Sequence, residues 1–188
     1  MFSFSSQIDE AVSTFQSLAA LEAEVERAAD LIRACLVSSG KLLVCGNGGS
    51  AADGADFSTE FTCRFSADRR PYPAINMAAD GSLLTAIAND YSYDEVFARQ
   101  VWAFAAPGDV VVAISTSGAS KSILRTLEEA NRKGVASISL LGKNGGVCKG
   151  KATVELLVRS QATARIQEAH KFLLHTLCEM VDPALRAG

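Results

Sequence analysis

The sequence predicts an α/β fold of three layers, a sandwich around a sheet of about five parallel strands. Five apolar runs have the length of buried strands, and they fall at 42–45, 74–77, 110–114, 136–141 and 154–158. Helical patterns separate these runs at about 50–64, 82–105, 120–133 and 162–185. Because alternating strands and helices form right-handed crossovers, we expect a parallel sheet with helices on both faces.

A helical segment precedes the first strand. From Ile8 to Leu36, apolar residues recur at steps of three and four, which predicts one long helix or a pair of helices over residues 6 to about 38. The length of 188 residues fits a single domain, since one domain usually takes about 100–200 residues. We find no internal repeat, low-complexity tract or linker that would divide the chain.

Composition and charge argue against several functional classes. Apolar residues make up 48% of the chain, the net charge is −3 and no stripe of Lys or Arg is present, so we expect neither nucleic acid nor an anionic membrane as a direct partner. No run reaches about 18 apolar residues and the first residues lack a basic signal-peptide segment, which favours a cytoplasmic protein. Five cysteines without metal-type spacing favour reduced thiols.

The loop after the first strand has the composition of an anion site. It reads Gly46-Asn47-Gly48-Gly49-Ser50 and leads directly into a helical pattern. Glycines let the backbone approach a ligand, Ser50 can cap the helix and offer its hydroxyl, and the helix N-terminus presents unpaired N–H groups. The stretch 41–62 therefore predicts a phosphate site, although an ordinary strand-to-helix turn gives the same short glycine pattern.

A second loop repeats this pattern after the third strand. It reads Ile114-Ser115-Thr116-Ser117-Gly118-Ala119-Ser120, just before the helix that begins near Lys121. The two loops can converge on one ligand at the carboxyl edge of the sheet, although Ser and Thr are also ordinary turn formers. The Walker lysine motif and the GxGxxG fingerprint are absent, which disfavours a nucleotide triphosphatase and a nicotinamide dehydrogenase.

Candidate acid and base residues lie on two helices. Asp56 and Glu60 are four residues apart, so both carboxylates can point at one ligand or cation, but a solvated acidic edge has the same spacing. Both histidines, His170 and His175, fall in the last helix. A histidine within an apolar run is commonly a core residue, and spacing alone leaves the role of each open.

Together these motifs resemble the sugar isomerase (SIS) domain family, and within it the phosphoheptose isomerases. The resemblance is carried by residues 46–50, Asn89-Asp90, residues 115–118 with Ser120, and Arg165-Ile166-Gln167-Glu168 with His175. It implies a flavodoxin-like SIS fold over the single domain 1–188. It further implies a homotetramer with active sites at subunit interfaces, in which the N-terminal segment 1–40 serves oligomerisation.

The resemblance also implies an enzyme, an aldose–ketose isomerase that acts through an enediol. It would convert sedoheptulose 7-phosphate to D-glycero-D-manno-heptose 7-phosphate, for the heptose of lipopolysaccharide or a related glycan. Glu60 matches the general base of the family and His175 the second acid/base. The implied substrate-binding residues are Asn47, Gly48 and Gly49 for the sugar, Ser50, Ser115, Thr116, Ser117 and Ser120 for its phosphate, and Asn89, Asp90 and Gln167 in the same pocket.

One zinc ion per subunit is implied as well, with Asp56, Glu60, Gln167 and His175 as its ligands. The family usually has a histidine where this chain has Asp56, and the resulting oxygen-rich set favours Mg or Mn, or a weakened or empty site. Gln167 and His175 are eight residues apart, about 12 Å along a helix at about 1.5 Å per residue. By periodicity Glu168 shares a face with His175 better than Gln167 does.

Three alternative functions stay open at this point. A non-catalytic relative that serves as a tetrameric scaffold for the bacterial replication initiator protein resembles this chain around residues 84–90, but it lacks counterparts of Glu60 and His175. An isomerase of another phosphosugar, in capsule or secondary glycan synthesis, is a second alternative. The third, a regulatory sugar-phosphate-binding domain, needs a DNA-binding module that we do not find in the sequence.

Overall fold

A computed structural model describes residues 3–187 and contains a five-stranded parallel sheet. The strands run in the order β2-β1-β3-β4-β5, and every neighbouring pair is parallel. Their bounds are β1 Leu42–Gly46, β2 Ala74–Asn76, β3 Val110–Ser115, β4 Ala136–Gly142 and β5 Val154–Val158. The predicted three-layer α/β fold is therefore confirmed, and each strand lies within about two residues of its predicted bounds.

Seven α-helices surround the sheet in the described part of the chain. They are α1 Phe4–Ser17, α2 Glu22–Val37, α3 Gly49–Thr62, α4 Gly81–Asp90, α5 Ala98–Phe104, α6 Lys121–Arg132 and α7 Thr163–Arg186. Short 3₁₀ turns lie at Leu18–Leu21, Tyr93–Glu95 and Gly146–Cys148. The predicted N-terminal segment is thus a pair of helices, α1 and α2, joined by a 3₁₀ turn.

Two hydrophobic cores lie on opposite faces of the sheet. On one face α2, α3 and α7 pack against residues such as Leu42 and Val44. On the other face α4, α5 and α6 pack against the intervening residues, such as Leu43 and Cys45. This alternation explains why the strands read as continuous apolar runs, because side chains of both parities are buried.

The single helix predicted over 82–105 is wrong, since the structure divides it into α4 and α5. Tyr91 and Ser92 leave helical geometry after Asp90, and a 3₁₀ turn follows at Tyr93–Glu95. The break turns Tyr93 back towards β1, where its hydroxyl donates a hydrogen bond to Asn47 Oδ1 at 2.7 Å. A continuous apolar pattern concealed this break, because both short helices face the same core.

Two further expectations concerned reduced thiols and membrane-spanning segments. All five cysteines are free thiols, and four of them are buried. Within residues 3–187, no helix combines the length and the apolar character that crossing a bilayer requires.

Candidate active site

The two predicted anion loops lie side by side at the carboxyl edge of the sheet. Gly46 at the end of β1 pairs with Ile114 near the end of β3, so the loops that follow these strands are neighbours. Asn47 Nδ2 in the first loop donates hydrogen bonds to Ser120 Oγ at 2.9 Å and to Ser122 Oγ at 3.1 Å. The structure thus joins the two loops directly.

Backbone contacts fix the shape of the second loop. Gly118 has a φ of +64°, and a Cβ there would lie 2.2 Å from the carbonyl oxygen of Gly145 in the loop after β4. The amide of Gly118 donates to Ser115 Oγ at 3.1 Å, and its carbonyl accepts from the amide of Cys148 at 3.0 Å. Only glycine fits this conformation and this contact together.

Helix α3 begins without a side-chain cap, which corrects the role expected of Ser50. The N-cap residue is Gly48, with a φ of +56°, and α3 starts at Gly49, so Ser50 already lies inside the first turn. Ser50 is buried, and its amide donates to the carbonyl of Asn47 at 3.0 Å. Because no side chain caps α3, the positive end of its helix dipole stays open to an anion.

Helices α3 and α7 bring the candidate catalytic residues together. Gln167, Lys171 and His175 follow one another at four-residue steps on α7, and they face Gly49, Asp53 and Asp56 on α3. We call these six residues the α3–α7 contact. A cleft of about 440 Å³ opens beside it, lined by Asp53, Ala164, Gln167, Glu168 and Lys171.

Distances within the α3–α7 contact define three successive levels. The side chain of Gln167 packs on Gly49, where an added Cβ would lie 2.3 Å from Gln167 Nε2. One turn further, Lys171 Nζ donates to Asp56 Oδ2 at 2.6 Å and lies 3.3 Å from Asp53 Oδ1. At the third level His175 Nε2 lies 3.7 Å from Asp56 Oδ2.

Gln167 faces α3, whereas Glu168 forms an ion pair with Arg165 at 2.5 Å. Gln167 is therefore the residue of the two that contacts α3, and both line the cleft beside Lys171.

Lys171 is the main residue of this site that the sequence did not reveal. Its ammonium lowers the pKa of Asp56 through their hydrogen bond. Burial opposes the charge on Lys171, but hydrogen bonds with Asp56 and Asp53 raise its pKa above the ordinary value. Its spacing four residues from both Gln167 and His175 was a usable signal, but that signal has meaning only once α7 is known to face α3.

Glu60 lies one turn beyond Asp56 on α3 and is partly buried. The backbone there is held by Arg69, whose Nη2 donates to the carbonyl of Glu60 at 2.6 Å and whose Nη1 donates to that of Phe61 at 3.1 Å. Arg69 Nε in turn donates to Asp182 Oδ1 on α7 at 3.0 Å. The end of α3 that carries Glu60 is therefore fixed against α7.

The predicted zinc ligands do not form a metal centre in this conformation. Among the residues that the structure describes, no group of three or more His, Cys, Asp or Glu side chains could hold a metal ion. Asp56 is paired with Lys171, and Gln167 lies two turns of α7 from His175. These donors do not fit a zinc ion as they stand, and zinc binding stays a prediction for this chain.

Asn89 and Asp90 lie at the exposed end of α4. Asn89 Nδ2 donates to Asp90 Oδ1 at 2.9 Å, so the two side chains pair with each other. Tyr93, three residues further, supplies the contact to the anion loops through Asn47 Oδ1. Sequence reasoning missed Tyr93 because the break after α4 was not predicted.

His170 is a core histidine. It is fully buried, and its Nε2 lies 3.1 Å from the carbonyl oxygen of Leu141. Because a carbonyl oxygen only accepts, Nε2 carries the proton in this contact. Burial lowers the pKa of His170 to about 4, although the hydrogen bond to Leu141 opposes this effect.

The sequence pattern of the SIS domain family matches residues 4–142 of the chain, well over half of its length. The chain belongs to the SIS domain family. This confirms the family predicted from the glycine and serine loops, and it accounts for the parallel sheet with strand order β2-β1-β3-β4-β5.

Within the SIS domain family, the chain is similar to phosphoheptose isomerases. That of Shewanella denitrificans is 46% identical over 169 residues, which cover 88% of this chain and 86% of the relative. The solved phosphoheptose isomerase of Neisseria gonorrhoeae is 38% identical, with a TM-score of 0.88, and the match covers 95% of this chain and 96% of that one. For that of Francisella tularensis the identity is 34%, the TM-score 0.91 and the coverage again 95% and 96%. The predicted resemblance to this branch is confirmed.

Proposed function

We propose that this SIS domain chain is a phosphosugar isomerase that converts sedoheptulose 7-phosphate to D-glycero-D-manno-heptose 7-phosphate. The observation that carries the proposal is the similarity to phosphoheptose isomerases along almost the whole chain, at 46% identity. The site geometry supports it, because two anion loops converge beside helices that carry Glu60 and His175. An aldose–ketose isomerase of sugar phosphates requires a binding site for the phosphate and an acid/base pair for the proton transfers.

The phosphate is assigned to the loops at the carboxyl edge of the sheet. The hydroxyls of Ser50, Ser115, Thr116, Ser117 and Ser120 and the first N–H groups of α3 and α6 supply donors to its oxygens. Asn47, Gly48 and Gly49 are assigned to the sugar, with Gln167, Asn89 and Asp90 at its rim. Support comes from the hydrogen bond between Asn47 and Ser120, which joins the two loops directly.

The reaction moves a carbonyl group from C2 to C1 of the sugar. Glu60 takes the proton from C1, the electron pair of that C–H bond forms the C1=C2 double bond, and the carbonyl electrons move onto the C2 oxygen. The carboxyl group then returns a proton to C2, while the O1 proton leaves and the C1 aldehyde forms. His175 is assigned to the oxygen-bound protons. Each positioned acid or base contributes roughly 10²–10⁴-fold in such steps.

A tetramer is part of the proposal, with the N-terminal segment 1–40 in its interfaces. The apolar side chains of Ile8 and Val12 on α1 are 47% and 50% exposed in the single chain, and a second subunit packed on this face of α1 would bury them. We further assign the enzyme to the cytoplasm, where sugar phosphates are made. Its product would supply the heptose of lipopolysaccharide or a related glycan.

The experiment that tests the function compares three sugars by initial rate. We expect sedoheptulose 7-phosphate to exceed unphosphorylated sedoheptulose in kcat/KM by about 100-fold or more, because charge-assisted hydrogen bonds contribute about 1.5–3 kcal/mol each. Fructose 6-phosphate tests the alternative substrate. A higher kcat/KM for that shorter sugar would favour an isomerase of another phosphosugar, and no turnover of any of them by folded protein would favour the scaffold function.

A further inference from the structure

The ammonium group of Lys171 lies between α3 and α7, at the position that a bound cation would take. Its ammonium is within hydrogen-bond distance of Asp56, at 2.6 Å, and 3.3 Å from Asp53 on the same helix. On α7 it is one turn from Gln167 and one turn from His175, so it lies midway between these two implied zinc ligands. The chain itself therefore supplies a positive charge at the centre of the α3–α7 contact.

This ammonium is available to a ligand. Its three hydrogens serve two carboxylate contacts within residues 3–187, which leaves one hydrogen to donate. The Lys171 side chain is 33% exposed and lines the cleft of about 440 Å³ together with Gln167. The other oxygen of Asp53, Oδ2, is buried in the same wall and has no hydrogen-bond partner among the described residues.

The Lys171 ammonium and a divalent cation exclude one another at this position. Asp56 Oδ2 accepts from Lys171 Nζ, and a metal ion bound to that carboxylate would stand within a few ångströms of a like charge. The imidazole of His175, 3.7 Å from the same oxygen, borders the same space. Zinc would bind there only after Lys171 had moved away.

We propose that the Lys171 ammonium takes the part that a metal ion would otherwise play, and that it donates a hydrogen bond to the sugar oxygen on which negative charge develops. The inference rests on the proposed isomerase function. When Glu60 removes the C1 proton and the C1=C2 bond forms, the carbonyl electron pair moves onto the C2 oxygen, next to an N–H of Lys171. The N–H bonds of Lys171 stay intact, so the step is electrostatic stabilisation without proton transfer.

The test combines metal removal with charge removal. Wild-type protein is treated with a chelator and dialysed, its zinc content is measured by mass spectrometry, and kcat and KM are measured for sedoheptulose 7-phosphate with and without added zinc. Lys171→Met removes the charge at similar length, Lys171→Arg keeps it, and Lys151→Met is the control, since Lys151 is exposed and precedes β5 at the opposite edge of the sheet.

We expect the metal-free wild type to keep its activity. Lys171→Met should lose about 10²–10³-fold in kcat with a similar KM, as for one oxyanion donor, and Lys171→Arg should keep part of the activity.

Two results would overturn the inference and leave the proposed function standing. They are a wild type that loses turnover on chelation and regains it with one zinc ion per chain, and a Lys171→Met variant with unchanged kcat. If Lys171→Met does not fold, the chelation result on the wild type decides. Absence of turnover by folded wild type, with and without zinc, would instead contradict the isomerase function and the inference with it.

Discussion

Arg69 and Asp182 form an ion pair that is almost fully buried, with Arg69 Nε 3.0 Å from Asp182 Oδ1 and side chains only 2% and 3% exposed. Arg69 also donates hydrogen bonds to the carbonyls of Glu60 and Phe61, so it joins the end of α3 to α7. Asp182 is further bonded to Arg186 and Ser66. The pair lies beyond the α3–α7 contact and holds both helices at the end where Glu60 must be placed.

Arg69→Met should destabilise the protein by about 3–5 kcal/mol, because it leaves the buried carboxylate of Asp182 without its main partner. Arg186→Met is the matched control, since Arg186 is 40% exposed and pairs with the same carboxylate. Its cost should be about 1 kcal/mol or less. Urea unfolding at one fixed protein concentration measures both, and equal losses would contradict the role given to Arg69.

Glu60→Gln should lower kcat by about 10²–10⁴-fold, because an amide cannot take a proton from carbon. The fold should stay intact, since the backbone of Glu60, rather than its side chain, makes the contact with Arg69. Asp68→Asn, at an exposed position in the loop before β2, serves as the control for the loss of one negative charge. Turnover by Glu60→Gln near that of the control would remove Glu60 from the role of base.

Gly118→Ala should weaken both stability and phosphate binding. A Cβ at this position meets a backbone carbonyl, so the loop between β3 and α6 must move as well as accept a left-handed residue. Gly150→Ala isolates the cost of the left-handed backbone conformation, because Gly150 has a φ of +70° with nothing within 4 Å of the new Cβ. We expect about 1–2 kcal/mol for Gly150→Ala and a larger loss for Gly118→Ala.

Only the Gly118 variant should also raise KM for sedoheptulose 7-phosphate. The same KM in both variants would separate this loop from the phosphate site.

Stability should fall as the pH drops below the ordinary pKa of histidine, and His170 should contribute to this fall. Its pKa is lowered by burial to about 4 in the folded protein, so between pH 6.5 and 4 the unfolded chain binds a proton that the folded protein does not. The unfolding free energy should therefore decrease by about 2 kcal/mol from pH 7.5 to pH 5 through this group.

His170→Gln, which keeps a donor near the position of Nε2 for the carbonyl of Leu141, isolates this effect of pH. Urea unfolding at both pH values should give a smaller decrease for the variant than for the wild type. Equal decreases would contradict the role of His170.

The strands and most helices could be predicted from the sequence because both faces of a parallel sheet are buried, which makes each strand a continuous apolar run. The anion loops were predictable for a related reason, since each follows a strand directly. The break at Tyr91 was not, because α4 and α5 share one core and their apolar patterns merge.

The site residues that could not be predicted make contacts that depend on which elements pack together. Lys171, Arg69 and Tyr93 are separated from their partners by 115, 113 and 46 residues in the hydrogen bonds to Asp56, Asp182 and Asn47. No local spacing encodes such pairs. Ser50 was expected to cap α3 because serine is a common N-cap, but Gly48 takes that position and the helix starts earlier.

The central claim, that this SIS domain chain isomerises a phosphorylated heptose with Glu60 as the base, is tested most directly by ¹H NMR in D₂O. Folded wild-type protein is incubated with sedoheptulose 7-phosphate, and the C1 protons of the ketose and the anomeric proton of the aldose are followed over time. We expect D-glycero-D-manno-heptose 7-phosphate to form with deuterium at C2, because the carboxyl proton of Glu60 exchanges with solvent before it is returned. Sedoheptulose 7-phosphate that stays unchanged, with its C1 protons intact, would contradict the claim.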